Sequence, residues 1–265
     1  MHLPELHTQA GQSVRLSRNS NPFNFLITEI NRKKLIRLLF RVTGVLIVIH
    51  LINLVSGFPS WQMERLFALG EESNIPTWFS SGLWGLVSFA AYRCSRVVRA
   101  KKEALLWMIM AAVFLVFSID EVAMIHESLF GIIGRYFPEH LRSEILPHFR
   151  ASNWPIIAAP FLVLTIVWLI QVFKRFSIDR PVGQLILLGF FLVIFGGWGL
   201  EITTNFLNHN ELQWLWEIES AFEESMEMFG AIMILSGLFK HHQFLNETLT
   251  NMNMHENKEI EVCQA

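Results

Sequence analysis

The chain has 265 residues, of which 52% are hydrophobic and 17% charged, and its formal net charge is −2. Soluble domains carry about 25% charged residues, so this composition excludes an ordinary soluble domain and predicts the membrane class. The small net charge gives no reason to expect a nucleic-acid partner, and the polar start of the chain is not expected to be a cleaved signal peptide.

Six apolar segments, each close to the roughly 20 residues that a bilayer requires, predict six membrane-spanning helices. They lie near residues 36–57, 77–98, 104–128, 155–174, 182–204 and 214–239. We therefore predict an all-α, polytopic membrane bundle over residues 31–242. An N-terminal arm (1–30) precedes it, and a disordered polar tail (243–265) follows it. The links 58–76 and 129–154 are expected to carry short amphipathic helices on the membrane surface.

Basic residues concentrate at one side of this predicted bundle, which the positive-inside rule makes cytoplasmic. They are Arg32, Lys33, Lys34, Arg37, Arg41, Arg93, Arg96, Arg99, Lys101, Lys102, Lys174, Arg175, Arg180 and Lys240. Six spans then leave both termini inside, and we expect the inner membrane of a bacterium. The histidines near the two ends of the chain, including His241 and His242, are expected to be exposed to solvent.

The last predicted span begins with a stripe of carboxylates. At about 100° per residue, Glu217, Ser220, Glu223, Glu224 and Glu227 fall within an arc of roughly 120°. An acidic side chain facing lipid at the bilayer centre costs about 2.5–3.5 kcal/mol. The stripe is therefore expected to face other helices, a cation or water, although its first residues can also lie among lipid headgroups.

Other spans carry polar residues at the same predicted depth. In the third span, Asp120 and Glu127 are seven residues apart and share a helical face, with Glu121 and His126 on either side of it. Glu201 lies near the end of the fifth span. Given the predicted directions of the spans, all these side chains reach the outer half of the membrane.

A few further positions in the spans are open to interpretation. His50 in the first span is either a packing residue or part of the site. Ser80, Ser81 and Ser88 in the second span are typical of close helix packing. The run Gly196, Gly197 and Gly199 in the fifth span can form an unwound segment.

So many carboxylates cannot remain ionised together without a counter-charge, and the mixture of carboxylate and imidazole favours a divalent metal ion. Iron, manganese, zinc, magnesium and calcium all fit. The predicted metal ligands are Glu127, Glu201, Glu223 and Glu227, with Asp120 and His126 close by. Glu121 or Glu224 would act as general base. This pattern favours a metal-dependent membrane enzyme, a hydrolase or an oxidase, acting on a lipid or other apolar substrate.

Two other functional classes remain open. Intramembrane acids are also typical of a divalent-cation or proton-coupled transporter or channel. A membrane scaffold with a structural ion is the third interpretation. Membrane lipid is the expected partner, and the sequence does not indicate an oligomeric state. Several of the acids can alternatively mark helix ends at the water boundary, and Glu201 can be a protonated, hydrogen-bonded carboxyl group.

Overall fold

The computed structural model describes residues 29–57, 59–126, 128–129, 132, 154–175, 178–200, 202 and 213–264. Within these residues the elements are helices joined by turns, and no strand occurs. In chain order they are α1 (Glu29–Val55), α2 (Trp61–Phe67), α3 (Ile75–Val97), α4 (Lys101–Ala123), α5 (Trp154–Arg175), α6 (Arg180–Ile194), a π-helical segment (Phe195–Leu200) and α7 (Gln213–Gln264). The all-α prediction is confirmed for the described part of the chain, and α2 falls in a link for which a short helix was expected.

Three of the described helical stretches are long and apolar enough to cross a membrane: Asn31–Val55, Lys101–Ala123 and Arg180–Leu200. Large apolar side chains point outward from them, and Val45 and Phe191, for example, are 57% and 58% exposed. Extensive apolar surface of this kind is rare on soluble monomers. The structure therefore supports the membrane class that the composition predicts.

The central element of the bundle is α7, which packs against α1, α3, α6 and the π-helical segment. Met228, Ile232, Leu235 and Leu238 lie in its core and are at most 1% exposed. Ala231 and Ile234 are fully buried as well, and Gly230 and Gly237 are buried on the side of α7 opposite to Met228. Because its neighbours enclose most of its circumference, α7 can carry polar side chains without turning them toward lipid.

Serine side chains hold α3 against α4. The hydroxyl of Ser81 donates to the carbonyl of Ser118 (2.6 Å), and the Ser118 hydroxyl donates back to the Ser81 carbonyl (2.8 Å). Further along, Ser88 Oγ donates to the carbonyl of Ala111 (2.7 Å). Small polar residues that bond across a helix pair allow the two backbones to approach closely. The packing role predicted for Ser81 and Ser88 is confirmed.

Glycines bring α6 into backbone contact with α7. A Cβ added to Gly230 would lie 2.6 Å from the carbonyl oxygen of Gly189, and a Cβ added to Gly189 would lie 2.7 Å from that of Gly230. Only glycine permits so close a crossing. One turn later the helix changes to the π-helical segment, at the glycine run for which an unwound segment was predicted. The backbone departs from α geometry there but remains helical.

Two predictions about the last part of α7 differ from the structure. His241 and His242 are each 3% exposed rather than open to solvent, and the ring of His241 lies 5.0 Å from the ring of Trp107. The helix also continues through residues 243–264, where the sequence predicts a disordered tail. Hydrogen bonds one turn apart, such as that from Gln243 Nε2 to Glu247 Oε1 (2.7 Å), favour the helix there.

Candidate functional site

A cavity of about 380 Å³ lies beside the end of α4, between α3, α5, the π-helical segment and the first part of α7. Three chain segments supply its acidic and imidazole side chains, which are Glu72, Asp120, Glu121, His126, Glu223, Glu224 and Glu227. Much of the remaining wall is apolar and includes Trp84, Phe117, Phe161, Leu162, Phe190 and Val193. Six of the eight predicted site residues thus line one cavity. The other two, Glu127 and Glu201, lie outside the described residues.

The end of α4 is fixed by Asp120. The helix ends at Ala123, and Met124 takes the left-handed conformation (φ 51°, ψ 39°) while its N–H donates to the Asp120 carbonyl (2.8 Å). The chain then turns back. The carboxylate of Asp120 accepts the backbone N–H of His126 (2.8 Å), and its second oxygen lies 2.6 Å from His126 Nδ1.

This turn corrects the predicted third span, which was expected to run unbroken to residue 128. The face that Asp120 was predicted to share with Glu127 is not continuous, because the left-handed residue interrupts the helix between them. The turn instead pairs Asp120 with His126 and places Nε2 on the side of the ring opposite to Asp120. A carboxylate on one ring nitrogen is the usual support of a histidine that binds a metal through the other.

Glu121 is held from the side of α3. Trp84 Nε1 donates to Glu121 Oε1 (3.1 Å). The indole is itself fixed, since it is 2% exposed and its ring lies 5.8 Å from Phe114 and 5.2 Å from Phe117. A buried tryptophan requires a partner for its N–H, and here that partner is a carboxyl group of the cavity.

Glu227 lies against the π-helical segment. A Cβ added to Gly197 would overlap Glu227 Oε1, and a Cβ added to Gly196 would lie 3.0 Å from the carbonyl oxygen of Glu223. The missing side chains at these glycines therefore provide the space that the Glu227 carboxyl group occupies. Irregular π-helical turns inside helices are frequent at functional sites.

Glu72 lines the cavity from the link 58–76, for which only a short helix on the membrane surface was expected. Its loop is fixed by Asn74, whose side-chain amide donates to the carbonyls of Ala68 (2.6 Å) and Glu71 (2.7 Å). Asn74 Oδ1 also accepts the N–H of Thr77 and caps α3. The Asn-x-Pro-Thr sequence is a recognisable helix start. It indicates the cap, but the approach of the preceding loop to α4 depends on long-range packing.

His50 does not line the cavity. It is fully buried in α1, and its Nδ1 accepts the backbone N–H of Leu69 (3.1 Å) at the start of the link after α2. Thr43 and Asn53, on the same side of α1, are buried as well. This arrangement favours the packing interpretation of His50 over a role beside the carboxylates.

The charges of the cavity are unbalanced. Six carboxyl groups line it, and no lysine or arginine is among the described lining residues. Two like charges 4 Å apart repel by about 4 kcal/mol at the effective dielectric constant of a protein surface. Such repulsion favours protonation of some of these carboxyl groups or the binding of a cation. Among the residues described, no group of three or more His, Cys, Asp or Glu side chains is arranged to hold a metal ion.

Comparison with known proteins gives one match. The family model described as a domain of unknown function, DUF8692, matches residues 39–241. That range contains every described residue that lines the cavity. Neither the curated proteins nor the solved structures contain a match to this chain.

Proposed function

The chain belongs to the DUF8692 family, and from the cavity we propose that it is a metal-dependent membrane enzyme that acts on a lipid or other apolar substrate. One observation carries this proposal. Six carboxyl groups and an imidazole line one cavity whose remaining wall is largely apolar. The donors are those that divalent metals prefer, and the apolar wall suits a hydrocarbon.

The proposed metal ligands are Asp120, His126, Glu223 and Glu227, together with Glu127 and Glu201, which lie outside the described residues. Glu121 or Glu224 is the proposed general base, and Glu72 adds negative charge beside them. A bound divalent ion supplies Lewis acidity and activates water at neutral pH. Because the described side chains form no complete ligand group, we propose that binding draws these carboxylates toward the ion.

The size of the cavity supports an organic substrate. Its volume of about 380 Å³ lies in the range of small-molecule pockets, and it is roughly ten times the space of one water molecule. Phe161 and Leu162 of α5 and Phe190 of α6 form part of the wall. A site for a bare ion needs no such wall, so a hydrocarbon-bearing substrate is the better fit.

We also propose that the bundle has six spans, with both termini in the cytoplasm of a bacterium. Beyond the three strongly apolar stretches, α3, α5 and α7 are each at least 22 residues long, enough to cross a bilayer at 1.5 Å per residue. The lower hydropathy of α3 and α7 is compatible with spanning, because side chains such as Ser80, Ser81 and Glu219 are buried within the bundle. Reporter fusions after Ala265 and within residues 58–76 would test this orientation, which requires opposite compartments for the two positions.

Metal content is the first test of the enzyme. Elemental analysis of the purified full chain should find about one divalent metal per molecule, and Glu227→Gln should lower the affinity for that metal at least about tenfold. Glu71→Gln is the matched control, since Glu71 precedes Glu72 but is exposed and does not line the cavity. A metal-free protein whose Glu227→Gln variant behaves as wild type contradicts the proposal.

Turnover is the second test. The metal-loaded protein is incubated with bacterial lipid extracts in vesicles, and the products are measured by mass spectrometry. Glu121→Gln and Glu224→Gln should each lower turnover by about 10²-fold or more if that residue moves a proton in the reaction. Substitutions that lower thermal stability without affecting any turnover would instead favour the scaffold with a structural ion.

The transporter is less well supported. The buried side chains of α7 that follow Glu227 are apolar as far as Leu238, so the described part of this helix offers no polar path to the basic end of the bundle. Ion flux in proteoliposomes separates the alternatives. If divalent-cation or proton flux is observed, is lost in Glu227→Gln, and no lipid turnover is found, the protein is a transporter and not an enzyme.

A further inference from the structure

A second cavity, of about 530 Å³, lies between the start of α1 and α7. Its cationic lining residues are Arg32, Lys33 and Arg37 of α1 and Lys240 of α7, and Ile36 and Phe239 contribute apolar surface. We refer to it as the basic pocket. Along α7, Lys240 is 13 residues from Glu227, about 20 Å at 1.5 Å per residue. The basic pocket is therefore separate from the acidic cavity, and the inference below does not depend on the proposed enzyme.

One of the residues that line the basic pocket, Arg32, is a buried arginine that joins α1 to α7. Arg32 is only 7% exposed, and its Nη1 donates to the carbonyl of Phe239 (2.5 Å) while its Nη2 donates to Gln243 Oε1. These bonds fix the start of α1 to α7 on the floor of the pocket. Gln243 in turn donates to Glu247 (2.7 Å), one turn further along the helix.

The charge and the position of the pocket indicate what it binds. None of the described residues that line it is acidic, and Lys33, Arg37 and Lys240 bring positive charge to it, while the guanidinium of Arg32 bonds to Phe239 and Gln243. The pocket opens at the polar end of Asn31–Val55, one of the three stretches that can cross a membrane. Leu38, just past the pocket, is 55% exposed and faces the surroundings of the bundle. The headgroup of a lipid would therefore contact the cationic side chains, and the start of its acyl chains would contact the apolar ones.

We propose that the basic pocket binds an anionic phospholipid, with its phosphate among Lys33, Arg37 and Lys240 and an acyl chain against Ile36 and Phe239. Basic pockets between membrane helices on the cytoplasmic side are typical sites for anionic headgroups. Each lysine or arginine near such a headgroup contributes about a fivefold factor in affinity, the equivalent of about 1 kcal/mol. The bound lipid would join α1 to α7 at this end of the bundle.

Native mass spectrometry of the full chain in detergent tests the proposal with phosphatidylglycerol and phosphatidylcholine as probes. Phosphatidylglycerol should bind at least about tenfold more tightly. The double variant Arg37→Gln, Lys240→Gln should weaken its binding about 25-fold, at about fivefold per cation removed. The matched control is Lys34→Gln, Arg41→Gln, which removes the same charge from exposed positions of α1 that do not line the pocket. It should change the affinity less than about twofold.

A neutral substitution distinguishes binding in the pocket from general attraction of the lipid to the positive charge of this surface. Ser236→Leu places a larger side chain in the pocket lining and should weaken phosphatidylglycerol binding with no change of charge. It also carries the test if the double variant fails to fold. Equal binding of the two lipids overturns the proposal, as does equal weakening in the variant and its control. Displacement of the lipid by free glycerol phosphate at similar concentrations would show a site for a soluble anion instead, and would overturn it too.

Discussion

Gly230→Ala should force α6 and α7 apart, because the added methyl group meets backbone atoms that cannot rotate away. It would lie 2.6 Å from the carbonyl oxygen of Gly189 and 3.1 Å from the backbone nitrogen of Val193. Non-bonded heavy atoms attract best at about 3.5–4.0 Å. Relief of the overlap therefore requires the helices to separate by about 1 Å at the crossing.

The magnitude follows from two opposing contributions. Overpacking of a well-packed core costs about 1–3 kcal/mol, and backbone neighbours place this site toward the upper end. Replacing glycine by alanine also stabilises a helix by about 1 kcal/mol. The expected net loss is about 2 kcal/mol, or about 4–8 °C in the unfolding midpoint for a chain of this size.

Gly82→Ala is the matched control, because Gly82 also lies within a helix but a Cβ there meets nothing within 4 Å. Gly82→Ala should raise the free energy of unfolding by about 1 kcal/mol, because alanine favours the helix and no overpacking opposes it. Thermal unfolding of both variants in the same detergent, followed by circular dichroism, gives the difference. Equal midpoints for the two variants would refute the backbone crossing of α6 and α7.

Three further predictions concern single side chains. Trp84→Phe keeps the ring but removes the donor to Glu121 and should lower the free energy of unfolding by about 1–3 kcal/mol. A double-mutant cycle with Glu121→Leu that shows no coupling contradicts this. Met124→Gly relieves the left-handed conformation and should stabilise the protein by about 1 kcal/mol, measured as a higher midpoint. Burial lowers the pKa of His241 to about 4, below the value near 6.5 in the unfolded chain. The unfolded state therefore binds more protons between these values, and stability should fall as the pH is lowered from 6.5 to 4. His241→Phe, which retains a ring against Trp107, should remove up to about 3 kcal/mol of that loss, and an unchanged pH profile would argue against burial of this histidine.

The parts of the site that follow helical periodicity could be predicted from the sequence. Glu223, Glu224 and Glu227 lie on one side of α7, because a regular helix places residues three and four positions apart on the same face. Asp120 and Glu121 end an apolar run of membrane length, so their position near the end of a long helix could be predicted from the run. The structure places all five side chains around one cavity.

The parts that depend on irregular backbone or distant packing could not be predicted. The left-handed Met124 gives no local signal, because glycine or asparagine usually occupies such a position. It is retained here by the bonds between Asp120 and His126. The approach of Glu72 depends on contacts of its loop with distant helices: the Leu69 N–H donates to His50 Nδ1, and a Cβ added to Gly70 would lie 2.9 Å from Ser220 Cβ.

The burial of the histidines of α7 also could not be predicted from the sequence nearby. His241 follows a lysine and precedes a polar segment, so local composition predicts exposure. Burial is decided instead by Trp107, more than 130 positions earlier in the chain, whose ring lies against it. The hydropathy of the adjacent residues does not predict a contact with a residue so distant in the sequence.

The few buried side chains of α5 make it the least firmly held described wall of the acidic cavity. Among the described side chains of this helix, only Leu169 is buried, while Phe161 and Leu164 are 65% and 66% exposed. Among the other walls, hydrogen bonds between serines join α3 to α4, and the close approach of two glycines joins α6 to α7. Displacement of α5 breaks neither of these connections. Among the described walls, α5 is therefore the one whose displacement would break the fewest contacts, and it would open the acidic cavity on the side where Phe161 and Leu164 are exposed.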